Sequence, residues 1–168
     1  TGISRTAPLL FDQASGFVQK NGKSIREFVY SDIEDGYKST AVSILAEHLI
    51  DSPKQIAVLK GNATRPEQYA FFLNNGTTSP GTLAIFHSVR DEKIAGWGLW
   101  TTRTNDLFQS IISLNEHLVV CVKRQLNGST VYTLEKFADT DSITLDMKLT
   151  TTLNQKGTPL IQGAGQSG

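Results

Sequence analysis

Two of the three Asn-Gly dipeptides constrain this chain more than any other feature, because each separates two runs rich in β-branched and aromatic residues. In "ASGFVQKNGKSIREFVYS", Ala14 to Ser31, the break is Asn21-Gly22. In "VKRQLNGSTVYTLEKF", Val122 to Phe137, it is Asn127-Gly128. Both residue types tolerate positive φ, which makes Asn-Gly the strongest short hairpin signal. A third run, "LAIFHSVRDEKIAGWGLWTT" from Leu83 to Thr102, reads as strand, charged turn and returning strand. The chain is therefore expected to be mainly β, built from antiparallel hairpins.

The Leu83 to Thr102 run holds both tryptophans of the sequence, Trp97 and Trp100. Three residues apart, they point to opposite faces of a regular strand; Gly98 between them marks a place where a bulge could form. One indole is expected in a core and the other at an interface or surface. Further strands are expected at Ile56 to Gly61, Gln68 to Gly76, Phe108 to Arg124, Ser129 to Phe137 and Ser142 to Leu149. One segment changes period. In "STAVSILAEHLID", Val42, Leu45, Ala46 and Leu49 recur at three- and four-residue spacing, which predicts one short α-helix around residues 39–50. Ser39 or Thr40 would cap it and Pro53 would end it. The loop "NNGTTSPGT", Asn74 to Thr82, is expected to stand out from the sheet.

Three β-rich blocks, at residues 10–37, 56–102 and 108–148, lie near the roughly 40–50-residue spacing of propeller blades. Three blades do not close a ring, since propellers usually have at least about four. The expectation is a β-rich domain over residues 1–149, resembling propeller blades or forming an open sheet or sandwich. Residues 150–168, rich in Gly, Gln and Ser, read as a flexible C-terminal segment or connection. The chain opens at Thr1 and reads as a fragment of something longer.

Composition removes several function classes. Sixteen basic and sixteen acidic residues cancel, so net charge does not draw the whole chain to nucleic acid or anionic lipid. No apolar run reaches the roughly 18 residues of a membrane span, and the N-terminus lacks a signal-peptide order. The single cysteine, Cys121, reads as a small buried hydrophobe and allows no internal disulfide. His48, His87 and His117 have no metal-ligand spacing, and no G-x-S-x-G elbow, P-loop or dinucleotide fingerprint is present. Asp32, Glu34 and Asp35 lack calcium-loop order and read as a solvated turn. No catalytic, cofactor or metal residues are assigned. Trp97, Trp100, Asn21, Gly22, Asn127 and Gly128 are the candidate structural residues.

Three motifs together resemble the tail nozzle proteins of short-tailed bacteriophages and prophages, the tail tubular protein B-like family. The first is R-E-F-V-Y-S at Arg26 to Ser31, with Gly36-Tyr37 and the L-A-E-H-L of Leu45 to Leu49. The second is the G-T-L hairpin from Gly81 through Gly96-Trp97. The third is the V-x-R-x-x-N-G ending from Val122 to Gly128, followed by Tyr132 and Glu135. The likeness spans residues 8–138. Members are several hundred residues long, so this chain would correspond to a segment. The resemblance implies a structural virion protein of the tail, assembled in the bacterial cytoplasm, with no enzymatic activity and no cofactor. It implies partners as well: copies of itself in a sixfold ring, a tail adaptor protein, and duplex DNA in transit to the host. A β-rich module that contacts a host-surface glycan or protein through Asn74–Thr82 and exposed aromatics is the alternative.

Overall fold

In the computed structural model, residues 2–11, 14–33, 35–61, 67–89, 92 and 94–137 are described. The strand expected at 142–149 and the segment 150–168 lie outside them. Among the described residues, eleven strands form three antiparallel sheets, and within each sheet every strand pairs with its neighbours in sequence. The first sheet holds β1 (Leu9–Phe11), β2 (Ala14–Val18), β3 (Ile25–Ser31) and β4 (Gly36–Ala41). The second holds β5 (Gln55–Leu59), β6 (Gln68–Leu73), β7 (Leu83–Val89) and β8 (Ile94–Trp100). The third holds β9 (Leu107–Leu114), β10 (His117–Leu126) and β11 (Ser129–Lys136). The chain is mainly β, as its hairpin signals predict.

The sheets stack face to face with the second in the middle, and its sequence shows why. A sheet covered on one side alternates apolar and polar residues, whereas one covered on both sides needs apolar residues throughout. β6 reads "QYAFFL" and β7 begins "LAIF". Alternate residues of these runs enter two separate cores. Ala70, Phe72, Ala84 and Phe86 meet Phe11, Val18 and Ile25 of the first sheet. Ala57, Phe71, Leu73, Leu83 and Ile85 meet Phe108, Ile111, Leu118, Val120 and Val122 of the third. Each fully buried Val, Leu, Ile or Phe side chain among them contributes about 1.5–3 kcal/mol. The stack converges at β5, which lies beside β1, β9 and β10.

The expected helix at 39–50 is not formed. Gly36–Ala41 is instead strand β4, paired with β3 from Ser31↔Gly36 to Arg26↔Ala41. One turn of 3-10 helix remains, Glu47–Leu49. The ladder with β3 satisfies the backbone through Ala41, and a helix of a dozen residues has little stability of its own to compete. The apolar stripe also fails to serve as one: Leu45 is 92% exposed, whereas Ile50 is fully buried. Ser43, which is not part of the expected stripe, is fully buried, and its hydroxyl accepts a hydrogen bond from the Ile25 N–H at 2.8 Å.

The turns divide by type. Asn127-Gly128 is a two-residue turn with φ of 50° and 78°, closing the Leu126↔Ser129 pair. Phe108 to Arg124, expected as one element, is broken by a second such turn at Asn115-Glu116, with φ of 47° and 65°. The observed bulge lies in β9 rather than at Gly98. Cys121 faces Ser110 and Val122 faces Phe108, so Gln109 is extra, and Phe108 and Ile111 point into the same core despite their odd spacing.

Candidate functional site

The chain before β5 carries a buried carboxylate that ties two sheets together. Asp51 is 4% exposed. Its Oδ1 accepts from Lys23 Nζ at 2.8 Å, and its Oδ2 accepts from the N–H groups of Thr78 and Ser79, both at 2.8 Å. Its carbonyl accepts from the N–H groups of Asn75 and Gly76. Asn74, fully buried, completes the knot: its Oδ1 accepts from the Asp51 N–H, and its Nδ2 donates to the Leu49 carbonyl and Thr82 Oγ1. The Lys23 ammonium holds the Asp51 carboxyl below its ordinary pKa, with the two backbone donors assisting against the opposing effect of burial.

This knot fixes two sequence-predicted elements. The loop Asn74–Thr82 does not stand out from the sheet; it folds back onto Asp51, and a Cβ at Gly76 would lie 2.0 Å from Asp51 Oδ1. The Asn21-Gly22 turn docks on the same segment. Gly22 has φ of 70°, its carbonyl accepts from the Ser52 N–H, and a Cβ there would lie 2.5 Å from Ser52 Oγ. Asn21 Oδ1 accepts from the Lys23 N–H at 3.1 Å, which orients the lysine toward Asp51. Asn21 and Gly22 are thus part of the joint between the first two sheets, while Asn127 and Gly128 stand at an exposed hairpin tip.

A second carboxylate knot, at the residue before β9, ties the strands of the third sheet to one another. Asp106 Oδ2 accepts from Arg124 Nη1 at 3.0 Å and its Oδ1 from the Gln125 N–H. Arg124 also makes a two-pronged pair with Glu135, 2.7 Å at each prong. Pairing with Glu135 raises the Arg124 pKa. Burial pushes Glu135 upward, but the guanidinium and the Thr133 hydroxyl outweigh it and hold the carboxyl below its ordinary value.

The two tryptophans lie on opposite faces of β8, which pairs with β7 without a register shift. Trp97 packs on Phe72 and Phe86 in the first core and donates from Nε1 to the Val42 carbonyl at 2.9 Å. Trp100, on the other face, stacks on Phe137 at 4.8 Å and leans on Phe71, and it is 43% exposed.

The outward faces of the stack set exposed aromatic and aliphatic side chains among charged ones, Arg26 on the first sheet and Lys123 and Lys136 on the third. On the first sheet, Phe28, Tyr30 and Tyr37 share the outer face; the Phe28 and Tyr37 rings are parallel within 4°, with centroids 5.0 Å apart, and Tyr37 is 72% exposed. Tyr30 Oη donates to Asp35 Oδ1 at 2.6 Å, which raises the phenol pKa. On the third sheet the outer face carries Ile112, Val119, Tyr132 and Leu134, the last 82% exposed. Cys121, expected to be buried, lies on this face and is partly exposed. Among the described residues no group of three His, Cys, Asp or Glu side chains could hold a metal ion. Among the same described residues, no helix is long and apolar enough to cross a membrane. These outward faces were not legible as such, because the residues that line them read as ordinary strand formers. Neither the protein-family models nor the curated proteins compared with this sequence give a match.

Proposed function

We propose that this chain is a structural segment of a bacteriophage tail nozzle, working through its sheet faces rather than through chemistry at a site. The observation that carries the reading is the pair of exposed apolar faces at the two ends of the stack, Phe28, Tyr30 and Tyr37 at one end and Ile112, Tyr132 and Leu134 at the other. The internal interfaces are made of the same kinds of side chain. A stack with such ends continues, either into further sheets of a longer nozzle chain or onto neighbouring copies. A head-to-tail contact between unlike faces generates a ring when its rotation closes, and the tail nozzle resemblance supports six copies around a channel.

In that role the motif segments that resemble the family are β3 with the start of β4, the β7–β8 hairpin and the β10–β11 hairpin, one in each sheet. The tail adaptor is the neighbouring partner, and duplex DNA passes without sequence readout on its way into the host. Balanced charge suits passage rather than capture. Light scattering on this segment within its natural flanking chain is the test. Six copies support the nozzle; a stable monomer in that longer chain, or strong salt-sensitive binding to duplex DNA, overturns it.

The parallel Phe28 and Tyr37 rings favour one second reading, a module that stacks a host-surface glycan on the outer face of the first sheet. The Asn74–Thr82 loop no longer supports it, being folded onto Asp51. Saturable glycan binding by a monomer, lost in Tyr37→Ala, selects this reading over the nozzle.

A further inference from the structure

Strand β8 is an open sheet edge with none of the devices that normally keep edges apart. It pairs with β7 on one side, and no strand pairs its other side among the described residues. Natural edge strands are kept from pairing by shortness, charge, bulges or cover. Each of the other edges has one of these. β1 is three residues long, β4 carries Lys38, β5 is short and lies beside β1 and β9, β9 is bulged, and β11 ends in Glu135-Lys136. β8 has seven residues, "IAGWGLW", with no charge, no proline and an unbroken register.

We propose that β8 is a homodimer edge that pairs antiparallel with β8 of a second copy about a two-fold axis through Trp97. The near-palindromic sequence supplies the reason for a copy of this chain rather than another strand. Around Trp97, the two-fold register sets Gly96 opposite Gly98, Ala95 opposite Leu99 and Ile94 opposite Trp100. Glycine meets glycine, and each smaller apolar residue meets a larger one. The parity also agrees. Gly96, Gly98 and Trp100 face the third sheet, while Ala95, Trp97 and Leu99 face the first, so every pair joins like face to like face. Ile94, Leu99 and Trp100 are exposed, which leaves the apolar surface the pairing would cover. The product is one continuous eight-stranded sheet made from two copies of the second sheet. It leaves both outer faces of the stack free, so it covers none of the surface used by the nozzle contact proposed above, and a ring that also paired through β8 would hold twelve copies rather than six.

The glycines make a clean test, since a Cβ at Gly96 or Gly98 meets no atom within 4 Å and substitution there leaves the monomer intact. The full 168-residue chain is run in sedimentation velocity over a concentration series, as wild type and as the G96K/G98K variant, with far-UV circular dichroism to confirm that both are folded. The expected result is a wild-type species approaching twice 18.4 kDa as concentration rises, and a variant that remains monomeric because lysines face lysines across the two-fold. Register is read by disulfide trapping in a C121S background. Antiparallel partners lie about 4.5–5.5 Å apart at Cα, within the range a disulfide spans. An equal mixture of G96C and G98C chains should therefore cross-link as the mixed dimer in preference to either homodimer. A wild-type chain that stays monomeric throughout, a dimer untouched by G96K/G98K, or cross-linking without preference for the mixed pair overturns the proposal. Pairing of β8 with a different protein's strand would appear as the first of these.

Discussion

Replacing Asp51 should loosen the joint between the first two sheets by an amount that depends on which atoms remain. In Asp51→Ala, the Thr78 and Ser79 N–H groups lose their acceptor and Lys23 loses its partner, while the carbonyl that holds Asn75 and Gly76 is kept. Hydrogen bonds to a charged group are worth about 1.5–3 kcal/mol each and non-additive, so a loss of about 3–5 kcal/mol is expected. Asp51→Asn keeps one oxygen for the two backbone donors and turns an amide NH2 toward the Lys23 ammonium. Its cost should be about 1–2 kcal/mol. Lys23→Met removes only a half-exposed partner and should cost under about 1 kcal/mol. The assay is urea unfolding followed by tryptophan emission, because Trp97 and Trp100 report on the two faces of the middle sheet. Equal losses in Asp51→Ala and Asp51→Asn would refute the reasoning, since backbone donors would then not be what the carboxylate serves. A loss under about 1 kcal/mol in Asp51→Ala would refute it as well.

Other outcomes follow from the same joints and faces. The folded pKa values of Asp51 and Glu135 are lowered, so their stabilisation is complete above the unfolded values near pH 4 and is lost as pH falls through the folded ones. The urea midpoint should therefore be level at neutral pH and fall under acid conditions, with a shallower fall in Asp51→Asn. Gly98→Ala should be neutral or stabilising by up to about 1 kcal/mol, through a less flexible unfolded chain. Gly76→Ala should cost about 2 kcal/mol or more, because its Cβ collides with the Asp51 carboxylate; denaturation of the pair side by side checks both. Trp97→Phe removes the hydrogen bond to the Val42 carbonyl and should cost about 1–2 kcal/mol, measured by thermal melting.

What was legible in the sequence was local. Asn127-Gly128 was readable because an isolated two-residue turn depends only on its own φ preferences. The two faces of β8 were readable because strand parity alone separates Trp97 from Trp100. The failures share one cause, which is tertiary contact. The 3.6-residue period of Val42, Leu45, Ala46 and Leu49 is real, but β3 claims the residues up to Ala41 and the buried Ser43 hydroxyl holds the Ile25 amide. The Asn115-Glu116 turn was hidden because glutamate seldom adopts positive φ, and only the ladder on both sides imposes it. Asp51 carried no signal at all. Its acceptors are matched to donors from residue 23 and residues 75–79, a pairing that exists only once the first two sheets have docked.

The two carboxylate knots bear on how such a stack behaves under load. Apolar sheet faces attract one another without fixing a particular angle or offset, since burial is roughly proportional to area. Hydrogen bonds to a buried carboxylate are directional, and leaving their partners unpaired is costly. Asp51 sits where the first sheet passes to the second and bonds to both, whereas Asp106, just before β9, bonds to β10 within the third sheet. The Asp51 knot therefore converts a face-to-face contact that could slide into one with a defined pose, and the Asp106 knot stiffens the third sheet itself. Defined poses matter wherever small rotations repeat, because an assembly closes into a ring only if each step has the right angle. In the proposed nozzle, the exposed end faces supply attraction between successive units, and the knots keep each unit rigid enough for that attraction to act in one direction. On this reasoning Asp51→Ala should disturb assembly in the longer chain at temperatures where the isolated segment is still folded, and a variant that assembles normally would separate the joint from the ring.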